Sequence, residues 1–303
     1  MIACAFHSGC ADGFGAASSL RYIFNDRDLV FFPVSHNDPN EKFWEFVNAY
    51  SFDAFYIMDF SFTVDQMLLI ASKSRVVTWV DHHKTAEYLV EKLSNVKNLN
   101  IHFSLEQSGA YIAWKSISGT VPTLINDIGN VDMWRTECEE SFAVVNGLFH
   151  KMNNFRIPEG SNAIAVVSEL MEYFQPLKRS ELLAIGTVLT EETKSYCQGK
   201  IKHAFNIQIA ERTLIAQFST VHNSELGNAL CRKYGMPACV INPSFDPKIG
   251  ARFSLSFRSL DELDSVDSLA IRLGGGGHRN ASATRIEWNR LVPTSDGYAV
   301  LDK

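Results

Sequence analysis

Residues 54–83 read AFYIMDFSFTVDQMLLIASKSRVVTWVDHH. Ala54–Met58 and Val76–Val80 are short apolar runs rich in β-branched and aromatic side chains, and acids follow them at Asp59 and Asp81. Thr63–Ala71, between the runs, is long enough for one crossover helix. Strands this uniformly apolar suit a parallel sheet buried on both faces. The same rhythm runs upstream, with strand candidates at Ile2–Phe6 and Leu29–Val34 and helix candidates at Gly13–Phe24 and Glu41–Ala49. Alternation of this kind predicts an α/β fold, a doubly wound and mainly parallel sheet.

Further along, the texture changes. Ser108–Ile117, Val121–Gly129, Ser141–Phe149 and Ala163–Phe174 read as helices, with breaks at Pro158–Gly160 and Pro176. From about Ile201, strand-like stretches return at Asn206–Ala210, Thr213–Phe218, Ala238–Ile241 and Arg252–Phe257, with a helix at Ser224–Tyr234. A short strand near Ser282–Ile286 follows the glycine run Gly274–Gly277. The expected organisation is a first domain over 1–190, including a helical linker, and a smaller α/β C-terminal domain over 200–303.

Composition narrows the function classes. The 303 residues are 46% hydrophobic and 20% charged, which excludes a disordered or collagenous chain. Net charge is −6, the wrong sign for a protein that grips long duplex across its whole surface. The six cysteines form no CxxC pair and read as reduced thiols. MIACAFHSGC lacks the basic start of a signal peptide, and no apolar run approaches the about 18 residues that span a bilayer. The expectation is a soluble, cytoplasmic protein.

In an open parallel sheet, ligands sit outside the carboxyl ends of the strands. Those ends carry His7, Cys10 and Asp12 after the first strand, Asp59 after the third, and Asp81-His82-His83 after the fourth. A single Asp after a strand is commonly a helix cap or turn former, and a single His commonly a satisfied core or surface residue. Three strand ends that all bear oxygen and nitrogen ligands point instead to a metal site. Phe43-Trp44, Trp114 and Trp134 read as packing residues, and His36, His102, His150, His203 and His222 as surface residues without a ligand pattern.

These motifs resemble those of the DHH phosphoesterases. His7-Ser8-Gly9-Cys10-Ala11-Asp12-Gly13, Asp59, Asp81-His82-His83 and Asp132 in Ile128–Arg135 are similar to that family's four motifs, in order. Arg258-Ser259, Gly274–His278 followed by Ala281-Ser282-Ala283, and Ser224–Leu230 resemble its associated substrate-binding domain, so the likeness spans nearly the whole chain. The resemblance implies two divalent metal ions, Mn²⁺ first, with Mg²⁺, Fe, Zn²⁺ or Co as other candidates. Asp59 would bridge them. Asp12, His82 and Asp132 would complete one shell, and His7 with the place held by Cys10 the other. His83 would sit near the bridging solvent or the phosphate, and Asp81 would orient the histidines. Many members carry aspartate where Cys10 stands, with the His one residue nearer. A thiolate there would favour softer metals; the other reading of Cys10 is a small buried filler.

Four glycines in a row let backbone amides approach a phosphate or base, and an anion nest is expected there. The resemblance assigns substrate binding to Arg258, Gly275, Gly276, Gly277, His278 and Arg279. Ser108-Gly109-Ala110 is similar to a segment near the family's metal centre and offers backbone contacts at a helix start. The expected activity is hydrolysis of short nucleotides to mononucleotides: 5′-phosphorylated dinucleotides, short oligoribonucleotides or cyclic dinucleotides. An acidic chain with few obvious stacking aromatics in its last domain suits short substrates. The alternatives are a phosphomonoesterase or pyrophosphatase-like hydrolase, and a nucleotide-binding sensor with an impaired metal site. Long duplex DNA and membranes are not expected partners; a homodimer is compatible with the sequence.

Overall fold

A computed structural model of the protein describes residues 1–24, 29–36, 38–135, 137–157, 163–246, 250–260 and 263–301. The expected break at Pro158–Gly160 lies outside the described residues. The chain divides into two units, Met1–Thr190 and Glu191–Lys303.

In the first unit, β1 (Ile2–His7), α1 (Ala11–Phe24), β2 (Leu29–Val34), α2 (Glu41–Ala49), β3 (Ala54–Met58), α3 (Val64–Ser72), β4 (Val77–Asp81), α4 (Glu87–Leu93) and β5 (Leu99–Phe103) alternate. Helices α5 (Gly109–Ile117), α6 (Thr123–Asp132), α7 (Glu139–Lys151), α8 (Ala163–Glu172) and α9 (Pro176–Ile201) follow, and the division between units falls inside α9. The strands form one sheet in the order β2-β1-β3-β4-β5, and every pairing is parallel. This is the doubly wound sheet read from residues 54–83.

Alternation along β1 divides the core. Cys4 and Phe6 join α1, α5, α6, α7 and α8 on one face, whereas Ala3 and Ala5 join α2, α3 and α4 on the other. Period-two burial on a strand covered on both faces is why the run reads as continuously apolar. Thr63 opens α3 with a capping box completed by Gln66, a device that stabilises a helix start by about 1 kcal/mol. The Trp114 indole N–H donates to the Gly15 carbonyl at 3.0 Å and to Ser18 Oγ at 3.1 Å, tying α5 to α1 through a fully buried ring. Truncating such a tryptophan to alanine typically costs about 3–5 kcal/mol.

The second unit holds β6 (Phe205–Ile209), β7 (Arg212–Phe218), α10 (Asn223–Tyr234), β8 (Ala238–Asp246), β9 (Gly250–Arg258), α11 (Asp267–Arg272), β10 (Gly276–His278), β11 (Ala281–Glu287), β12 (Leu291–Thr294) and β13 (Gly297–Val300). Its strands make one mixed sheet, β10-β11-β9-β8-β7-β6-β13-β12, with β7–β8 and β6–β13 parallel. Gly276 and Gly277 form edge strand β10, paired with Ala283 and Ser282. A Cβ at Gly277 would lie 2.5 Å from the Ser282 Cα, so close passage over β11 requires glycine. One reading is corrected here: the unit is not poor in stacking aromatics. Phe218, Phe253, Trp288 and Tyr298 line an open groove of about 370 Å³, with Trp288 stacked on Phe253 at 4.3 Å.

Candidate metal centre

The strand order reverses direction between β1 and β3, and sheets of this order bind ligands at that crevice. His7 closes β1, Asp59 follows β3 directly, and Asp81 closes β4. Asp59 has φ of +53°, a left-handed backbone that costs energy for any residue but glycine. Its amide nevertheless donates to the Val80 carbonyl at 2.9 Å, which fixes the turn against the neighbouring strand.

Two sets of possible ligand atoms lie within 4.8 Å of one another: His7, Asp59 and His83, and Asp12, Asp59 and His82. Asp59 is common to both. His82 Nε2 stands 3.2 Å from Asp59 Oδ1, 3.3 Å from Asp132 Oδ2 and 3.8 Å from Asp12 Oδ2. His7 Nδ1 stands 3.5 Å from Asp59 Oδ2. The structure thus gathers His7, Asp12, Asp59, His82, His83 and Asp132. Cys10 belongs to neither set.

Four of these side chains expose a telling deficit. His7 Nδ1, Asp12 Oδ2, Asp59 Oδ1 and His82 Nε2 are buried atoms without a hydrogen-bond partner among the described residues. Orphaned polar groups of this kind are costly, and these four belong to one cluster. Electrostatics repeats the point. Burial drives the Asp12 carboxyl well above its ordinary range, reinforced by Asp132 and Asp59 and only partly opposed by the Ser108 hydroxyl and the Ala110 N–H. Burial raises Asp132 too. For Asp59, burial pushes upward, yet the adjoining imidazoles of His7, His82 and His83 outweigh it and hold the group at about 2. Three buried carboxylates of which one is ionised and two resist ionisation form a donor set that fits divalent cations. The Cys10 thiol is held protonated by burial and by Asp59, Asp12 and Asp132.

The supporting contacts are specific. Asp81 is fully buried; its Oδ1 accepts from the His82 and His83 amides at 2.7 and 3.1 Å and pairs with His83 Nδ1 at 2.7 Å. Ser61 Oγ donates to Asp81 Oδ2 at 2.6 Å. The bond to Asp81 lifts His83 to about 9 and leaves Nε2 as the free ring nitrogen. At the start of α5, Ser108 caps the helix and the Ala110 N–H donates to Asp12 Oδ1 at 3.1 Å. A Cβ on Gly109 would lie 2.8 Å from Asp59 Cβ and Oδ1 and 3.0 Å from Asp12 Oδ2. The helix start therefore closes on both carboxylates because residue 109 has no side chain.

Asp132 ends α6, and a chain of polar contacts holds that helix. Arg179 on α9 grips Asp127 through Nε–Oδ2 at 2.6 Å and Nη2–Oδ1 at 2.9 Å. Ser141 donates to Asp127, Asn130 donates to Ser141, and Arg135 donates to Asn130 and to the Glu106 carbonyl. Nothing in the sequence marked Arg179 for this task.

His36 is exposed, as read, yet its ring stacks on Phe60 at 4.1 Å and lies 6.0 Å from the His7 ring. Burial lowers its pKa, helped by His7 and His83. No spacing rule connects residue 36 to the strand-end motifs, because it follows β2, whose end carries no acid. Trp134, two residues beyond Asp132, packs edge-on against Phe142 at 5.6 Å but is 55% exposed, with φ of +54°.

In the second unit, Arg258 reaches Ser224 Oγ at 2.6 Å through Nη2, and its stem lies over Gly227, where a Cβ would stand 2.6 Å from Arg258 Cγ. Burial lowers the Arg258 pKa. Arg258 pairs in register with Ala281, which pairs with His278 across β11, so the motif positions align on three adjacent strands. Of His278 only the backbone is described. Arg279 Nη2 donates to the Leu263 carbonyl at 3.2 Å.

No family model matches the chain. An uncharacterized protein, R106, of Acanthamoeba polyphaga mimivirus is 25% identical over 289 residues; the match covers 91% of this chain but only 65% of that relative's length. Among solved structures, the pGpG-specific phosphodiesterase PggH from Vibrio cholerae is similar with a TM-score of 0.54 and 15% identity, covering 95% of this chain and 94% of that one. CDC45 from Entamoeba histolytica is similar with a TM-score of 0.53 and 10% identity, covering 96% and 93%. Motif order and architecture agree: the chain has the fold of the DHH phosphoesterases. Among the described residues, no helix is long and apolar enough to cross a membrane.

Proposed function

We propose that this chain is a metal-dependent phosphoesterase of the DHH family that hydrolyses short nucleotides. The substrates are 5′-phosphorylated dinucleotides and oligoribonucleotides of a few units, with cyclic dinucleotides as a close variant, and the products are mononucleotides. One observation carries the reading: His7 Nδ1, Asp12 Oδ2, Asp59 Oδ1 and His82 Nε2 are buried, clustered at the strand ends and without a hydrogen-bond partner among the described residues.

Two divalent ions, Mn²⁺ foremost, fit this donor set. Asp59 stands between the two ligand groups, with His7 in one and Asp12 and His82 in the other, and Asp132 beside His82. Ions held there supply Lewis-acid stabilisation of phosphoryl charge and a nucleophile at neutral pH. The chain's own residues do the positioning. Strand ends fix the ligands on rigid elements. Asp81 orients His83 through Nδ1, so Nε2 is free to carry a proton toward the leaving oxygen. Arg258, the backbone of Gly275–Gly277, His278 and Arg279 serve recognition. The net charge of −6 supports a short substrate over a long polymer. Cys10 acts as a protonated filler rather than a ligand, since neither ligand set includes it.

The test is incubation with Mn²⁺ and a 5′-phosphorylated diribonucleotide, with products identified by mass. A cyclic dinucleotide, pyrophosphate and a 3′-phosphonucleotide run alongside. Release of mononucleotides that chelator abolishes is the expected result. Cleavage of pyrophosphate alone would replace the diesterase with a phosphoanhydride hydrolase, and binding without cleavage would make the protein a sensor.

A further inference from the structure

The ring of His36 lies flat on Phe60 beside the metal centre, with centroids 4.1 Å apart and planes inclined by 18°. The His7 ring stands 6.0 Å from both, so it flanks this stack at the edge and does not cover its outer face. Phe60 follows Asp59 directly and is buried, whereas His36 is exposed. One face of the imidazole is therefore supported by the protein and the other is open to solvent. The ring has no other task on the page: among the described residues His36 makes no hydrogen bond or ion pair, and it belongs to neither ligand set.

The position is firmly built. Behind Phe60, the Phe62 ring packs edge-on at 5.0 Å and itself stacks on Phe43 at 5.3 Å. All three are buried, so the support under His36 is continuous with the core beneath α2, α3 and α4. The loop that presents His36 is tied by one side chain, that of Asn40. Its Oδ1 accepts from the Ser35 N–H at 3.2 Å, and its Nδ2 donates to the Ser35 carbonyl at 2.9 Å and the Asp38 carbonyl at 2.7 Å. Ser35 is thereby held through both its backbone groups, and the next residue is His36. A ring already fixed against a buried partner loses little freedom when a ligand lands on it.

What such a face recognises is another planar ring. Aromatic rings favour offset stacking, every nucleobase offers a π-face, and a phosphate has none. A phosphate held at the metal centre carries its base only one sugar away, which is the span between that centre and the rim where His36 stands.

We infer that His36 is a base platform: the nucleobase next to the cleaved phosphate stacks on its open face and extends the Phe60–His36 pile by one ring. The inference rests on the nucleotide reading above and deepens it. His36 is the specificity residue by which the centre separates nucleotides from phosphoanhydrides and from esters without a base. Tolerance of different bases follows, because stacking reads a π-face rather than a hydrogen-bonding edge.

The experiment measures equilibrium binding, with Mn²⁺ present, of a slowly cleaved, phosphorothioate-linked 5′-phosphorylated diribonucleotide and of its abasic counterpart, in which hydrogen replaces both bases. Wild type, His36→Ala, His36→Phe and His36→Asn are compared. Wild type should prefer the base-bearing compound. His36→Ala should weaken that compound by about 5- to 100-fold, the worth of one base stack, and change the abasic one by no more than about 2-fold. His36→Phe keeps a plane without ring nitrogens and should bind like wild type. His36→Asn keeps a polar edge without the plane and should bind like His36→Ala. His36→Phe binding no better than His36→Asn, equal weakening of both compounds, no weakening, or absence of a wild-type preference would overturn the inference. Hydrolysis of the ordinary diester is scored separately. Base discrimination through His36 without hydrolysis keeps the platform and removes the phosphodiesterase; hydrolysis without that discrimination does the reverse.

Discussion

In the first unit, His7, Asp12, Asp59 and His82 present buried polar atoms with no hydrogen-bond partner among the described residues. In the second unit, Arg258 is already engaged, with Nη1 on the Phe257 carbonyl at 2.8 Å and Nη2 on Ser224 at 2.6 Å. A ligand arriving at the first set relieves a standing penalty. A ligand arriving at the second must exchange one hydrogen bond for another, and such exchanges are worth about 0.5–1.5 kcal/mol net. The contrast teaches a division of roles: the first unit needs outside charge to be complete and so hosts the chemistry, whereas the second adds recognition in small increments. Substitutions in the first unit should therefore have large effects, and those in the second small ones.

The sharpest way to break this contrast is Asp12→Asn. Asparagine keeps the acceptor for the Ala110 N–H, but removes a carboxylate whose ionisation burial and its acidic neighbours oppose. Activity should fall by about 10³-fold, equivalent to about 4 kcal/mol of barrier. The metal-free protein should become more stable, with Tm rising about 2–4 °C for each kcal/mol recovered. A calorimetric scan in chelator checks it; a lower Tm would mean that the cluster is structurally complete as it stands.

Next in size is Gly109→Ala. Its methyl group would meet Asp59 and Asp12 at 2.8–3.0 Å, displacing ligands by a fraction of an ångström while α5 gains a better helix former. Misplacement on that scale costs about 10²-fold in rate. Weaker Mn²⁺ binding by titration, with unchanged circular dichroism, is the expected pair of results.

These residues also mark what was legible. The strands over Ala54–Met58 and Val77–Asp81 were readable because burial on both faces leaves no room for polar residues. Strand β5, LNIHF, lies at the sheet edge with Asn100 exposed, so it lacks that signature and went unread. β12 and β13 are only four residues each, carry Pro293 and Gly297, and are recognisable only through their pairing. In the site, residues at strand ends were legible because the topology rule says where to look. His36, Ser61 and Arg179 were not, since each contributes through space rather than spacing. The glycine run was noticed for conformational freedom, yet Gly275 and Gly277 are required for close passage over β11.

Asp81→Asn probes the support of the first set. With the carboxylate gone, His83 should drop from about 9 toward its ordinary value, and activity should fall about 10- to 100-fold, as for other residues that orient ligands. The sign in chelator follows from linkage. A histidine with a raised folded-state pKa stabilises fully below the unfolded value near 6.5, and that contribution is lost as pH rises through about 9. The wild-type Tm should therefore decline over that window, and the variant should decline less. Histidine NMR titration assigns the change to His83.

The smallest effect is expected at Gly227→Ala, and it tests the other half of the contrast. The new Cβ would stand 2.6 Å from Arg258 Cγ and 3.6 Å from Val240. The first neighbour is the flexible stem of a long side chain, so Arg258 can move aside, and replacing a mid-helix glycine contributes up to about 1 kcal/mol to α10. Stability should hold or rise slightly. The shifted guanidinium should lose its bond to Ser224 and meet a substrate phosphate less well, raising KM about 2- to 5-fold with kcat unchanged. A change in kcat instead would move Arg258 from recognition into the chemistry, and the two units would no longer divide the work as the orphaned and engaged polar atoms imply.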